Sequence, residues 1–183
     1  MPILPPEPDM YPEVLLQSPP ADAKWWAVYT LSRREKDFMR RLRALEIAFY
    51  GPMIRKTTRS SSGRQRSSYV PLFPGYVFLC GDEEQRRDAL ATNCVSNTLE
   101  VGDVDALLQD LIAIRRLVES DVALSPEARL VEGMRVRVRS GPFEGVEGVV
   151  VDRRGEDTLL VAVNFLQQGV SVSMKDYEME QID

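Results

Sequence analysis

The stretch VPLFPGYVFL, residues 70–79, combines a strongly apolar strand with residues that interrupt strands. Pro74 locks its own φ, and Gly75 accepts a positive φ that other residues avoid. The pair therefore predicts a sharp turn followed by a buried strand that begins at Tyr76. Because side chains alternate along a strand, Tyr76 and Phe78 should share one face of the sheet.

The residues before this stretch predict a strand followed by an amphipathic helix. WWAVYTL, residues 25–31, is rich in aromatic and β-branched residues, which favour strands. Ser32 with Glu35 three residues later predicts a capping box. The apolar residues that follow at helical spacing are Phe38, Leu42 and Leu45. We expect the helix to end near Leu45–Glu46.

The segments on either side of the LFPG turn complete an α+β pattern. IAFYGPMIRK, residues 47–56, predicts a strand that pairs with residues 70–79 across the loop TTRSSSGRQRSS. Asp82 is positioned to cap a short helix, and residues 104–120 carry a long apolar helical stripe. This order of elements predicts an α+β sandwich, an antiparallel sheet flanked by helices.

The C-terminal third lacks helical periodicity and has the pattern of short strands and turns. MRVRVR, residues 134–139, alternates apolar residues with arginine, as a half-buried strand does. SGPFEGVEG consists largely of residues that favour turns, and several short segments with strand-forming residues follow it. A small closed all-β barrel suits this pattern. The predicted organisation is a disordered proline-rich tail (1–23), an α+β domain (24–121), a linker (122–130) and the barrel (131–183).

Charge is unevenly distributed along the chain. The net charge of −5 conceals a basic segment, residues 24–69, in which twelve Lys and Arg face three acids. Residues 1–23 carry four acids and no base. Such an imbalance is typical of a surface that meets a polyanion, and the alternative is a solvated face with no partner.

Several function classes are disfavoured by composition. The chain has no histidine and only two cysteines, Cys80 and Cys94, which indicate apolar packing more than a metal site. We find no phosphate-binding glycine motif and no catalytic constellation. We therefore expect a non-enzymatic, cytoplasmic monomer without metal or cofactor, a secretion signal or a membrane span.

Two motifs resemble known modules. GMRVRVRSGPFEGVEGVVV, residues 133–151, looks like a KOW motif, and WWAVYT with LFPGYVF resembles the NGN domain of NusG, the bacterial transcription elongation factor. The resemblance covers about residues 24–183. It implies an NGN domain followed by an SH3-like KOW barrel, and a transcription elongation or antitermination factor that suppresses pausing or termination.

The resemblance also implies partners and site residues. An aromatic depression would receive the β′ clamp helices of RNA polymerase, lined by Tyr29, Phe73, Tyr76 and Phe78. The alternative is that these aromatic residues are core. Upstream or non-template DNA would lie along the basic residues Arg33, Arg34, Arg40, Arg41, Arg59, Arg64 and Arg66. The termination factor Rho or a small-subunit ribosomal protein would contact Phe143 and Phe165.

Two questions stay open at the level of sequence. Where NusG usually has an aromatic-Gly-Arg turn, this chain has Phe165 followed by Gln167 and Gln168. The proline-rich N-terminus and the wording PLFPGYVF look more like specialised RfaH-like paralogues, so a general and an operon-specific factor both fit. A KOW-type RNA-binding factor that acts on the ribosome is the alternative function. It would be expected to carry its basic residues on the barrel, whereas residues 122–183 are net acidic.

Overall fold

The computed structural model describes residues 6–61, 63–120, 122–127, 132–153, 156–174 and 177–183. The chain forms two compact units, Met1–Gly102 and Asp103–Asp183. The long helix predicted for the NGN domain clusters with the second unit. The expected linker 122–130 includes a short strand, and its residues 128–130 lie outside the described part of the chain.

The first unit is a five-stranded antiparallel sheet with helices and a separate hairpin. Its elements are β1 (Met10–Tyr11), β2 (Lys24–Thr30), α1 (Glu35–Ala44), β3 (Ala48–Tyr50), β4 (Met53–Arg59), β5 (Gln65–Pro71), β6 (Tyr76–Gly81), α2 (Glu83–Ala91) and β7 (Val95–Glu100). The order across the sheet is β1-β3-β6-β2-β7, and β4 and β5 form a separate two-stranded sheet. The α+β architecture predicted from the sequence is confirmed.

One face of this sheet is packed against helix α1. Phe38 and Leu42, two of the three residues in the predicted stripe of α1, are fully buried, and Met39 joins them. The third, Leu45, follows the last residue of the helix and is exposed, so its predicted burial is wrong. They pack with alternate residues of the central strands, including Val28 on β2 and Val77 on β6. The apolar residues at helical spacing on α1 and those at alternate positions on the strands therefore form one core.

The two predicted helix caps had different outcomes. Asp82 accepts the backbone N–H of Gln85 at 2.8 Å, and the Gln85 side chain accepts the N–H of Asp82, so α2 begins with a full capping box. Helix α1 has no side-chain cap, so the predicted Ser32–Glu35 box is wrong. The backbone turns through Arg33 with φ +61° before the helix starts, and Glu35 is engaged elsewhere.

The prediction of a disordered N-terminal tail is wrong for residues 6–23. β1 pairs antiparallel with the outer edge of β3, and Leu15 and Leu16 are buried. The high proline content suggested disorder. However, Met10 and Tyr11 are not prolines, so their backbone groups can pair with the open edge of β3. The tail is therefore part of the first unit.

The second unit combines one long helix with a six-stranded antiparallel sheet. Its elements are α3 (Val104–Glu119), β8 (Ser125–Glu127), β9 (Met134–Val138), β10 (Glu147–Arg153), β11 (Glu156–Val163), a 3-10 turn (Asn164–Leu166), β12 (Gln168–Ser173) and β13 (Met179–Gln181). Leu107, Leu111, Ile114 and Leu117 form the buried stripe of α3, as predicted.

The closed barrel expected for residues 131–183 is not observed in the described strands. The order is β13-β9-β10-β11-β12-β8, so β13 and β8 are the two edges of an open sheet. Period-two alternation specifies which residues face inward, but it does not specify whether the first and last strands meet.

Among the described residues, no helix has the length and apolarity that crossing a bilayer requires.

Candidate functional site

The LFPG turn has the geometry that its residues predict. Gly75 has φ +86°, and the N–H of Tyr76 donates to the carbonyl of Phe73 at 3.0 Å, which closes a four-residue turn. Proline at the second position and a positive φ at the third are the requirements of a type II turn. The turn starts β6 at Tyr76.

Two neighbouring segments hold this turn in place. The N–H of Thr30, at the end of β2, donates to the carbonyl of Gly75 at 2.8 Å. The N–H of Gly75 donates to the Glu35 carboxylate at 2.8 Å, from the first residue of α1. Glu35 was expected to cap its own helix, and sequence spacing carries no signal for its actual partner across 40 residues.

An aromatic pair, one ring exposed and one partly exposed, lies directly beside the turn. Tyr29 on β2 and Tyr76 on β6 are cross-strand partners, and their ring centroids are 5.2 Å apart. Tyr29 is 45% exposed, and Leu99, on the neighbouring strand β7, is 46% exposed. Tyr29, Tyr76 and Leu99 lie on the same face of the sheet, since Leu99 pairs with Ala27 two residues from Tyr29. We call these three residues the aromatic patch.

The two phenylalanines predicted to line the same surface are buried. Phe73 is 2% exposed and Phe78 is 0% exposed, so their predicted surface position is corrected. Phe78 does share a face with Tyr76, as alternation requires. However, Phe78 lies in a row with Ala27 and Tyr50 toward the middle of the sheet, where that face is covered. Of the four predicted docking residues, Tyr29 and Tyr76 are accessible.

The arginines of the α1 region are largely neutralised by nearby acids. Arg34 and Arg41 both contact the Asp37 carboxylate, at 2.9 Å and 3.4 Å. Arg40 is bound by Glu7 of the N-terminal segment at 2.6 Å. Arg33 lies in the turn before the helix and is exposed. The basic helix predicted from the sequence therefore presents less free positive charge than its composition suggests.

The hairpin arginines have a different environment. Arg59, Arg64 and Arg66 are exposed at the tip of the two-stranded β4–β5 ribbon, where Arg59 pairs with Gln65. In the described part of the chain none of the three forms an ion pair. A guanidinium on an exposed ribbon with no ion pair of its own can contact phosphate without first breaking a contact within the chain.

Of the two aromatic residues predicted to contact a partner in the C-terminal part of the chain, one is buried and one is exposed. Phe143 of the Gly-Pro-Phe turn is fully buried with its ring centroid 5.4 Å from that of Tyr177, so its predicted surface role is corrected. Phe165 is 37% exposed on the 3-10 turn. Gln167, which follows it, adopts φ +53°. Phe165 is therefore the accessible aromatic of the two.

Asp110 anchors the turn that presents Phe165. Its carboxylate accepts the backbone N–H of Asn164 at 2.9 Å and an Asn164 side-chain N–H at 3.2 Å. Burial raises the pKa of Asp110 above its ordinary value, against the lowering effect of these hydrogen bonds. Sequence reasoning did not identify Asp110, and no local pattern signals this contact, since its partner is 54 residues away.

Replacing Asp110 should affect stability in opposite ways for two substitutions. Asp110→Ala removes the acceptor for Asn164 and should cost about 1 kcal/mol. Asp110→Asn keeps an amide oxygen and removes the buried charge, so it should be neutral or stabilising at pH 7. Urea unfolding followed by far-UV circular dichroism measures both.

The pH dependence gives an independent check of Asp110. A carboxyl whose pKa is raised on folding favours the folded state below its unfolded pKa, near 3.8, and that contribution is lost as pH rises through the folded pKa. Wild-type stability relative to Asp110→Asn should therefore fall over that window. A difference that is constant with pH would contradict this assignment.

The cysteines are buried and offer no reactive centre. Cys80 and Cys94 are both free thiols, and burial raises the pKa of Cys80 to about 11. A thiol with that pKa is almost wholly protonated at neutral pH and is a poor nucleophile or metal ligand. Within the described residues, no group of three or more Cys, Asp or Glu side chains is arranged to hold a metal ion.

A comparison with known protein families finds a match that covers most of the first unit and the start of α3. Residues 23–113 match the NusG family model, which is described as transcription termination factor nusG. The matched range contains both tyrosines of the aromatic patch, the LFPG turn, α1 and the basic hairpin. It supports the NusG resemblance and a role in transcription elongation or termination.

Proposed function

We propose that the protein, whose residues 23–113 match the NusG family model, is a bacterial, cytoplasmic transcription elongation or antitermination factor that binds RNA polymerase through this matched region. The observation that carries the proposal is the Tyr29–Tyr76 pair beside the LFPG turn within the matched range, with Tyr29 exposed and Tyr76 partly exposed. The partner surface would be the β′ clamp helices of the polymerase.

The aromatic patch has the properties of a docking surface. Tyrosine presents a large apolar ring with a polar hydroxyl and loses little conformational entropy on binding, which suits protein interfaces. The patch is also preorganised, because Gly75 packs under the Tyr29 ring and is tied to β2 and to α1. A rigid patch pays less ordering entropy on binding than a mobile one.

The proposed mechanism is binding without catalysis. A factor that binds the elongating polymerase more tightly than the paused polymerase shifts the population toward elongation by the difference in binding free energy. Contact with non-template or upstream DNA would come from the basic segment, which includes the hairpin cations Arg59, Arg64 and Arg66. Residues 131–183, which we propose to be a KOW domain, would offer Phe165 to Rho or to a small-subunit ribosomal protein.

Removal of both patch tyrosines tests the docking proposal. The double variant Tyr29→Ala, Tyr76→Ala should bind core RNA polymerase at least about 30-fold more weakly, since two hot-spot aromatics are each worth about 1–2 kcal/mol or more. Binding is measured by titrating fluorescently labelled protein with polymerase.

A matched control separates docking from general loss of surface apolar groups. Leu45 is 49% exposed after α1 and lies outside the patch, so Leu45→Ala should bind polymerase as wild type does. Tryptophan fluorescence verifies that the variants are folded. Unchanged affinity in the folded double variant would place the polymerase contact elsewhere.

A further inference from the structure

Helix α1 carries a straight stripe of cations on its solvent side. Lys36, Arg40 and Arg43 are spaced at i, i+4 and i+7, which puts them on one face of the helix. Arg40 and Arg43 are exposed and Lys36 is partly exposed. With a rise of 1.5 Å per residue, the stripe is about 10 Å long, so it follows an extended polyanion better than it fits one small anion. We call these three residues the α1 stripe.

The centre of the α1 stripe is occupied by a carboxylate of the same chain. Glu7 accepts from Nε of Arg40 at 2.6 Å and from Nη2 at 2.7 Å. This two-pronged contact is the geometry in which a guanidinium also binds phosphate oxygens. The hydrogen bond to Arg40, and the charges of Arg40 and Lys36, lower the pKa of Glu7, so the anion is present at neutral pH.

The segment that carries Glu7 is bound to the domain by contacts of its own. β1 extends the sheet at β3, and the carbonyl of Asp9 accepts the N–H of Gly51 at 2.7 Å. Met10 and Leu15 are buried. Glu7 is therefore delivered to Arg40 by a docked segment, which raises its effective concentration at the stripe.

From these contacts we propose that Glu7 competes with the phosphate backbone of single-stranded nucleic acid for the α1 stripe, an inference that rests on the DNA contact given to the basic segment under the proposed function. The charge of the surroundings supports this partner, since residues 24–69 carry twelve cationic side chains against three acids. The stripe reads no bases, because its groups are cations on an exposed helix and form no pocket. Binding to the free protein is then limited by the acidic N-terminal segment. This inference needs no contact with polymerase.

Neutralising Glu7 tests the competition directly. The full-length Glu7→Gln variant should bind a labelled single-stranded oligonucleotide of mixed sequence about fivefold more tightly at low salt, since an exposed ion pair of up to about 1 kcal/mol no longer has to be broken. One additional phosphate contact should also steepen the slope of log affinity against log salt by about 0.7. Fluorescence anisotropy over a salt series measures both quantities.

Asp22 provides a control of equal charge. It is exposed in the same segment and forms no ion pair within the described residues, so Asp22→Asn makes the same change in net charge without freeing a cation. Its affinity should rise much less than that of Glu7→Gln, and its salt slope should stay at the wild-type value. Equal gains in the two variants would reduce the effect to net charge and overturn the proposal.

A second arm identifies the cation that is released. Adding Arg40→Gln to Glu7→Gln should return both affinity and salt slope to wild-type values. This double variant also tests whether Glu7→Gln acts by loosening the N-terminal segment. A gain in affinity caused by loosening would remain when Arg40 is replaced, and that result would overturn the proposal. Because no polymerase is present, failure here leaves the docking proposal untouched, and failure of docking leaves this one untouched.

Discussion

Gly75→Ala should destabilise the first unit by about 2–4 kcal/mol and weaken polymerase binding at the same time. Two costs combine at this position. The backbone has φ +86°, which costs an alanine about 1–2 kcal/mol. The new methyl group would also lie 2.7 Å from Cε2 of Tyr29, so the ring must leave its place beside Tyr76. Urea unfolding followed by tryptophan fluorescence measures the stability, because both tryptophans of the chain, Trp25 and Trp26, lie on β2.

Gly63 is the matched control for this substitution. It has nearly the same backbone conformation, with φ +78°, but no atom lies within 4 Å of an added methyl group. Gly63→Ala should therefore show only the conformational cost, about 1 kcal/mol, and leave polymerase binding unchanged. Equal destabilisation by the two substitutions would mean that contact with Tyr29 contributes nothing at Gly75.

Phe78→Ala should cost about 3–5 kcal/mol of folding free energy, the expected loss for a fully buried phenylalanine. Loss of polymerase binding in this variant would then follow from unfolding and would not identify a docking residue. The same fluorescence-detected urea titration measures the loss. A stability change below about 1 kcal/mol would restore Phe78 as a surface residue.

Leu99 supplies the comparison for Phe78 on the same face of the same sheet. Leu99 and Phe78 both pair with Ala27, from opposite sides, but Leu99 is 46% exposed and Phe78 is fully buried. Leu99→Ala should cost less than about 1 kcal/mol, since little buried surface is lost. The contrast compares a buried with an exposed apolar side chain on one face of the sheet.

Local patterns in the chain were enough to specify much of the first unit. The LFPG turn follows from the locked φ of Pro74 and the permissive backbone of Gly75. The buried side of α1 follows from the spacing of Phe38 and Leu42, and the start of α2 follows from Asp82. Each of these features depends on residues fewer than about ten positions apart, so periodicity and capping rules capture them.

Features that depend on distant partners required the tertiary structure. Alternation puts Tyr76 and Phe78 on one face, but only the folded chain decides which part of that face is covered. Glu35 binds Gly75 and Asp110 binds Asn164, across separations at which no sequence period applies. The N-terminal segment folds because the edge of β3 is free to accept it, and proline content carries no information about that edge. Strand alternation in the second unit likewise leaves sheet closure undetermined, because closure depends on how the edge strands β13 and β8 meet in space.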